Sequence, residues 1–159
     1  MVFPTHILVG IDGSPHSRAA WHFALELARC FGGRLTAMHV VVVTPVWSSF
    51  DRSALGAEAA EQAARAYGQH LLDEARSLAG DEIETVLRFG PPAEAICQRA
   101  VDSSADLIVL GSRGLGTLER LVMGSVSSAV VRQAPCSVLV VRGEHTSGAT
   151  WSPPPGPPP

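Results

Sequence analysis

The segment from residue 111 to residue 125 has the residue types and the spacing of a phosphate-binding loop. It follows the apolar run at 106–110 and leads directly into a segment with helical periodicity. Glycines at the carboxyl end of a strand let the backbone approach a ligand without an intervening Cβ, and the N-terminus of the next helix offers free N–H groups and partial positive charge. The alternative is a strand-to-helix connection with a helix cap and no ligand. The motif glycines are Gly111, Gly114 and Gly124, followed by the hydroxyl-bearing Ser125, Ser127 and Ser128.

The absence of lysine limits the chemistry that this loop can perform. All 12 basic residues of the chain are arginine. A Walker A loop, a kinase-type phosphate site and a pyridoxal phosphate enzyme each need a lysine amine at the reacting centre, so these classes are excluded. Backbone amides, serine hydroxyls and Arg113 would have to hold the phosphates of a bound nucleotide, although Arg113 could equally be a solvated surface residue.

Length, charge and cysteine content narrow the class of protein further. The 159 residues suit a single domain with a sizeable core. A net charge of −3 without a basic cluster argues against nucleic acid or a membrane as the main partner, and no apolar stretch approaches spanning length. The 3 cysteines show no CxxC spacing, which indicates a reduced, cytoplasmic setting. The first apolar strand also begins too early for a cleavable signal peptide.

Strand and helix patterns alternate along the chain. The predicted strands are 6–11, 35–43, 82–89, 106–110 and 136–142, and the predicted helices start at Ser14-Pro15, after Gly56, near Ala93 and at Ser125. This alternation implies right-handed crossovers and a doubly wound, Rossmann-like, five-stranded parallel sheet with helices on both faces. Ligands of such sheets bind at the carboxyl ends of the strands, where the strand order reverses. We expect Asp12, after the first strand, and Gly111, after the fourth, to flank that point.

The chain resembles the universal stress protein family in its ATP-binding form. The family's nucleotide signature of Gly, two residues, Gly, nine residues, Gly and then Ser or Thr is present without a gap from Gly111 to Ser125. The segment Ile-Leu-Val-Gly-Ile-Asp-Gly-Ser at 7–14 matches the family's opening strand and acidic loop. The resemblance covers residues 6–142 and implies a fold like that of the adenine nucleotide alpha hydrolases.

The domain boundary follows from this resemblance and from composition. Residues 1–143 form the predicted universal stress protein-like, nucleotide-binding domain. Residues 144–159 end in Ser-Pro-Pro-Pro-Gly-Pro-Pro-Pro, which cannot build a core and predicts a disordered or extended tail.

The resemblance also implies a site for ATP, or for another adenine nucleotide, together with Mg²⁺. The backbone near Val40 and Val41 would border the adenine, and Leu110 and Val126 would cover its faces. Asp12 would contact ribose hydroxyls or a phosphate-bound Mg²⁺, unless it only starts the turn before the first helix. The predicted site residues are Asp12, Val40, Val41, Leu110, Gly111, Arg113, Gly114, Gly124, Ser125, Val126 and Ser127.

Two classes of function are compatible with these observations. The first is a regulatory or stress-response protein that binds ATP or, alternatively, prefers AMP or cyclic AMP. It would be at most a slow ATPase, because no residue stands out as a general base. The second is a nucleotide-independent interaction module that acts through a dimer surface. The apolar last strand, 136–142, should be a sheet edge that needs cover. Universal stress proteins commonly pair through this strand, so we expect a homodimer in which each subunit keeps its own nucleotide site.

Overall fold

The computed structural model describes residues 3–42, 54–80, 83–114 and 123–143. The proline-rich tail and residues 115–122 of the glycine loop lie outside the described residues. In chain order the elements are β1 (His6–Gly10), α1 (Pro15–Phe31), β2 (Arg34–Val41), α2 (Ala54–Ala79), β3 (Glu84–Phe89), α3 (Pro92–Ser103), β4 (Leu107–Gly111), α4 (Ser125–Gln133) and β5 (Ser137–Val141).

The strands form one parallel sheet in the order β3-β2-β1-β4-β5. The predicted fold class is therefore confirmed, with helices between successive strands. The direction of strand succession reverses between β1 and β4, since the chain moves outward from β1 to β3 and then crosses back to β4. This reversal places the crevice for ligands at the carboxyl ends of β1 and β4.

Two hydrophobic clusters, one on each face of the sheet, hold the layers together. Successive strand side chains point to opposite faces, so Ile7 and Val9 of β1 belong to the cluster under α1 and α2, whereas Leu8 belongs to the cluster under α3 and α4. All three side chains are fully buried. Burial of each contributes on the order of 1.5–3 kcal/mol relative to exposure. Strand β1 is therefore held firmly at the centre of the sheet, and Asp12 follows its carboxyl end.

Local sequence signals account for the boundaries of α1. Ser14 is the N-cap, and its hydroxyl accepts a hydrogen bond from the Ser17 amide at 3.2 Å, while Pro15 occupies the first helical position. Gly32 ends the helix with φ 65°, a left-handed conformation that favours glycine.

Some predicted boundaries were wrong by a few residues. Strand β4 begins at Leu107, just after Asp106, whose carboxylate accepts hydrogen bonds from the amides of Thr5 and His6 and from the Thr5 hydroxyl, at 2.9, 3.2 and 2.7 Å. Helix α2 already begins at Ala54, within the segment expected to be a loop. No helix of the described residues is long and apolar enough to cross a membrane.

Candidate functional site

A cleft of about 470 Å³ lies at the carboxyl edge of the sheet, above the reversal of strand order. It contains residues from the ends of β1, β2 and β4, from the glycine loop and from the first turn of α4. All the residues that the sequence analysis assigned to a nucleotide site line this cleft, namely Asp12, Val40, Val41, Leu110, Gly111, Arg113, Gly114, Gly124, Ser125, Val126 and Ser127.

The acidic loop after β1 and the glycine loop after β4 are in direct contact. A Cβ on Gly114 would lie 2.6 Å from a carboxylate oxygen of Asp12, and a Cβ on Gly111 would lie 2.6 Å from the backbone of His16 at the start of α1. A Cβ on Gly13, whose φ is 85°, would lie even closer to the phenolic oxygen of Tyr67. Glycine is therefore needed for space at 111, where a Cβ would meet backbone atoms, whereas a side chain at 114 would displace the Asp12 carboxylate; of these glycines, Gly13 also needs glycine's backbone freedom.

Hydrogen bonds close the base of the glycine loop. The carbonyl oxygen of Ser112 accepts from the Gly124 amide at 2.7 Å and from the Ser127 hydroxyl at 3.2 Å. The hydroxyl of Ser14 donates to the Arg113 carbonyl at 3.3 Å, which ties the loop to the start of α1. Ser127 is buried and its hydroxyl also lies 3.1 Å from the Gly124 carbonyl, so this hydroxyl stabilises the loop.

The two helices that begin at the cleft differ in their N-terminal caps. The Ser14 hydroxyl satisfies an amide of α1, but the N-cap of α4 is Gly124, which has no side chain to offer. The first amides of an α-helix have no acceptor within the helix. The N-terminus of α4, which borders the cleft at Ser125, is therefore the better position for an anion.

The backbone of β2 presents its free hydrogen-bonding groups at Val40. The Ile11 amide donates to the Met38 carbonyl at 2.9 Å, and the pairing of β1 with β2 ends there. Successive residues of a strand direct their backbone N–H and carbonyl groups to opposite sides. Those of Val40 therefore point to the side of β2 where β1 no longer pairs with it. The Val41 carbonyl points the other way and accepts from the Gly90 amide at 3.0 Å. Of the two predicted residues, Val40 is thus the one suited to read a base.

Helix α2 supplies a wall of the cleft that sequence reasoning missed. The Tyr67 hydroxyl donates to the Asp12 carbonyl at 3.3 Å, and the Tyr67 ring meets the His39 ring edge-on, with centroids 6.1 Å apart. Ile11 follows β1 and Pro92 follows β3, so their positions after strand ends could have identified them as cleft residues. No pattern in the sequence placed α2 above the cleft. The unpredicted lining residues are Gly10, Ile11, Ser17, Met38, His39, Val42, Ala64, Tyr67, Pro92 and Ile96.

The charged groups of the cleft are few. Among the described lining residues, Asp12 is the carboxylate and Arg113 is the guanidinium. One carboxylate oxygen of Asp12 accepts from the Ser14 amide at 2.9 Å. The described residues contain no group of three or more His, Cys, Asp or Glu side chains that could hold a metal ion by themselves. A divalent cation at this site would need ligand oxygens in addition to Asp12.

The cysteines lie outside the described cleft lining and are unpaired. Burial raises the pKa values of the Cys97 and Cys136 thiols, which disfavours their reactive thiolate forms. Cys30 is exposed on α1. None of the three therefore enters the chemistry of the cleft.

This fold defines an α/β protein with a crevice at the carboxyl edge of a doubly wound parallel sheet, and comparison with known proteins identifies its family. The family model described as the universal stress protein family matches residues 4–142. The chain belongs to this family. A relative from Thermus aquaticus, described as a universal stress protein in the QAH/OAS sulfhydrylase 3′ region, is 39% identical over 140 residues, which cover 86% of this chain and 97% of the relative.

Solved structures of the family share the fold. The universal stress protein UspA from Lactobacillus plantarum superimposes with a TM-score of 0.78 at 30% identity, covering 89% of this chain and 100% of that chain. A universal stress protein in complex with cAMP has a TM-score of 0.64 at 26% identity and covers 90% and 100%. A family protein from Arabidopsis thaliana with AMP bound has a TM-score of 0.64 at 26% identity and covers 89% and 93%.

Proposed function

We propose that this protein is an adenine-nucleotide-binding regulatory protein of the stress response, with slow or no ATP hydrolysis. The observation that carries the proposal is the convergence of two separate motifs, the acidic loop at Asp12 and the glycine loop at 111–125, on one cleft beside the uncapped N-terminus of α4. The family members with bound cAMP and AMP support an adenine nucleotide as the ligand.

The contacts of the cleft suggest how the nucleotide binds. The backbone groups of Val40 read the base, and Leu110 and Val126 cover it. The glycine loop, the amides at the start of α4 and Arg113 hold the phosphates. ATP with Mg²⁺ fits because one carboxylate, Asp12, together with phosphate oxygens is a usual environment for that ion. When bound, Mg²⁺ would neutralise part of the phosphate charge.

Slow hydrolysis follows from the groups that line the cleft. No residue of the sequence stands out as a general base for water, and the chain has no lysine to stabilise charge on a transferred phosphoryl group. Positioning and amide dipoles remain, and these favour binding over turnover.

Two further parts of the proposal concern the whole protein. The chain forms a homodimer through β5, an edge strand whose apolar side chains from Val138 to Val141 are only partly buried. A cytoplasmic location accords with three unpaired cysteines.

Isothermal titration calorimetry with ATP, AMP and cyclic AMP, with and without Mg²⁺, tests the nucleotide proposal. Gly114→Val would place a branched side chain against the Asp12 carboxylate, and Gly124→Val would add one whose Cβ would lie 3.4 Å from the Arg113 backbone. We expect both variants to abolish nucleotide binding while circular dichroism stays native. Ala66→Val, on the exposed surface of α2, is the matched control and should bind like the wild type.

The outcome separates the two classes of function. Saturable binding that is lost in the two glycine variants supports the nucleotide proposal. If folded wild-type protein binds none of the three nucleotides at millimolar concentration, or if the glycine variants bind as well as wild type, the interaction module becomes the better description.

A further inference from the structure

Two aromatic side chains hold consecutive carbonyl groups of the loop that follows β1. His39 of β2 is buried, and its Nδ1 donates to the Ile11 carbonyl at 2.8 Å, since a carbonyl oxygen can only accept. Tyr67 of α2 donates its hydroxyl hydrogen to the next carbonyl, that of Asp12, at 3.3 Å. The two rings meet edge-on. The backbone that leads into Asp12 is therefore held by a strand and by a helix at the same time.

Glycine at position 68 lets α2 approach the sheet closely enough for this contact. Glycine in the interior of a helix is destabilising relative to alanine, so its presence calls for a physical reason. A Cβ on Gly68 would lie 2.8 Å from Cδ1 of Leu87 and closer still to the ring of His39. Alanine at 68 would thus push α2 away from β2 and carry the neighbouring Tyr67 away from the loop.

The position of the Asp12 backbone determines where its carboxylate lies. The Asp12 amide donates to the Ser17 hydroxyl at 3.2 Å, and one carboxylate oxygen accepts from the Ser14 amide at 2.9 Å. These bonds tie the residue to the start of α1, and Tyr67 ties it to α2. A Cβ on Gly114 would lie 2.6 Å from the other carboxylate oxygen. A shift of the Asp12 backbone would therefore move the carboxylate relative to the glycine loop.

We propose that Tyr67 is a positioning residue for nucleotide binding, whose hydroxyl holds the Asp12 carbonyl so that the Asp12 carboxylate is placed for the ligand. The inference rests on the proposed function, because it assumes that Asp12 contacts the ribose or a phosphate-bound Mg²⁺. The hydroxyl acts through Asp12 and not by touching the nucleotide. Affinity then depends on α2, an element that contains neither of the two motif loops.

Two variants disturb this contact in different ways. Tyr67→Phe removes the hydroxyl and keeps the ring. We expect it to fold and, in calorimetry, to bind ATP with Mg²⁺ about threefold to tenfold more weakly than the wild type, the range for one lost hydrogen bond. Gly68→Ala should also weaken binding, by displacing α2, although alanine is the better helix former. Gly56→Ala, at an exposed position of the same helix, is the matched control and should bind like the wild type.

A double-mutant cycle separates the positioning of Asp12 from a general effect on the cleft. The loss of affinity caused by Tyr67→Phe is measured in the wild type and again in Asp12→Ala. Alanine keeps the backbone carbonyl that Tyr67 contacts but has no carboxylate to be positioned. If Tyr67 acts through the carboxylate, its substitution should cause little further loss in Asp12→Ala. An equal loss in both backgrounds would overturn the inference, because a merely structural hydroxyl would act independently of the carboxylate.

The remaining outcomes distinguish this inference from the proposed function. If the wild type binds no nucleotide, the proposed function fails and the inference fails with it. If the wild type binds ATP and folded Tyr67→Phe binds it equally well, the nucleotide site stands and the positioning role alone is wrong. Unchanged affinity in Gly68→Ala would contradict the dependence on the close approach of α2.

Discussion

Asp12 is a carboxylate of the cleft whose orientation is fixed by contacts from three parts of the chain. One oxygen of its carboxylate accepts from the Ser14 amide, its backbone carbonyl accepts from Tyr67, and Gly114 lies against its other oxygen. The loop around it is therefore braced from α1, from α2 and from the glycine loop. This bracing orients a single negative charge beside a predicted phosphate site, where it would repel a nucleotide unless a cation or ribose hydroxyls intervened.

Substitution of Asp12 by Asn distinguishes these two partners. Asn keeps the shape and the acceptor for Ser14 but removes the charge, so we expect ATP affinity to fall about tenfold, or roughly 1.4 kcal/mol. A loss that occurs only with Mg²⁺ present assigns Asp12 to the metal, and an equal loss for AMP in EDTA assigns it to the ribose. Calorimetry measures both. Asp102→Asn on α3 serves as control, and unchanged affinity of Asp12→Asn under both conditions would contradict either role.

At the scale of elements, a polar network joins β1, β2, β3 and α3 at the edge of the sheet opposite the cleft. Thr36 donates its one hydroxyl hydrogen to Glu84 at 2.9 Å, so it must accept from His6 Nε2 at 2.8 Å. Arg34 donates to His6 Nδ1 at 2.9 Å, and Arg99 pairs with Glu84. The donors of Thr36, His6 and Arg34 in this network each have an acceptor when the His6 ring is neutral and carries its hydrogen on Nε2.

This network predicts that the fold is less stable in mild acid. Burial lowers the pKa of His6 below the ordinary 6.5, and the Arg34 cation lowers it further, although a hydrogen bond from Nδ1 of the protonated ring to the Ser103 carbonyl opposes them. The unfolded chain therefore binds a proton on His6 before the folded protein does, so stability is complete above pH 6.5 and falls as the pH drops below it. Thermal unfolding at pH 7.5 and 5.5 should show a lower melting temperature at pH 5.5.

The variant His6→Gln isolates this contribution. Its amide nitrogen can still donate to Thr36, but it does not titrate, so the acid-induced fall in melting temperature should be smaller than in the wild type. His22→Gln, on the exposed face of α1, controls for loss of a histidine. The pKa values of Glu84 and Asp106 lie below their ordinary 4.5 and 3.8, because hydrogen bonds outweigh the opposing effect of burial, so their contributions are lost only at lower pH. Equal falls in the wild type and His6→Gln would refute the assignment.

At the scale of the whole molecule, the open edge of β5 determines how two copies could join. The Val141 carbonyl accepts from the Ser112 amide at 2.8 Å, so Val141 faces β4. Val140, one residue earlier, directs its N–H and carbonyl to the unpaired side of the sheet. Its side chain is only partly buried. An apolar edge of this kind invites pairing with a second strand, most simply about a two-fold axis.

Val140→Pro should therefore break the predicted homodimer. Proline removes an N–H that the β4 ladder does not use, so the monomer should remain folded or aggregate through its exposed edge, whereas Leu139→Pro would disrupt the ladder itself. Light scattering at micromolar concentration should find a dimer for the wild type and none for Val140→Pro. A monomeric wild type, or a dimeric Val140→Pro, would mean that another element covers β5.

The rate of ATP turnover is also a property of the whole protein. With positioning but no evident base, we expect steady-state hydrolysis below about one turnover per second, under the range of ordinary enzymes. Phosphate release from purified wild type measures it, with Gly114→Val as the background control. A faster rate that the glycine variant abolishes would make the protein an ATP-using enzyme.

The sequence by itself determined the family, the class of fold and the two motif loops that line the cleft. These depend on information that is local along the chain. The alternation of strand and helix segments specifies a parallel sheet, and any loop that follows a strand of that sheet must emerge at its carboxyl edge. Asp12 and Gly111 could therefore be assigned to one crevice although 99 residues separate Ser14 from its hydrogen-bond partner Arg113. Their contacts with a nucleotide stay predictions.

Only the tertiary structure decided which atoms are available within that crevice. Val40 rather than Val41 is free because β1 leaves β2 after Gly10, and the Ser127 hydroxyl is engaged because the two ends of the glycine loop meet. The α2 wall depends on contacts such as that of Tyr67 with Asp12, 55 residues apart. Helical periodicity shows which face of α2 is apolar but not which strand ends that face covers. That choice arises from the packing of the helices against the sheet, which the periodicity of a single helix does not specify.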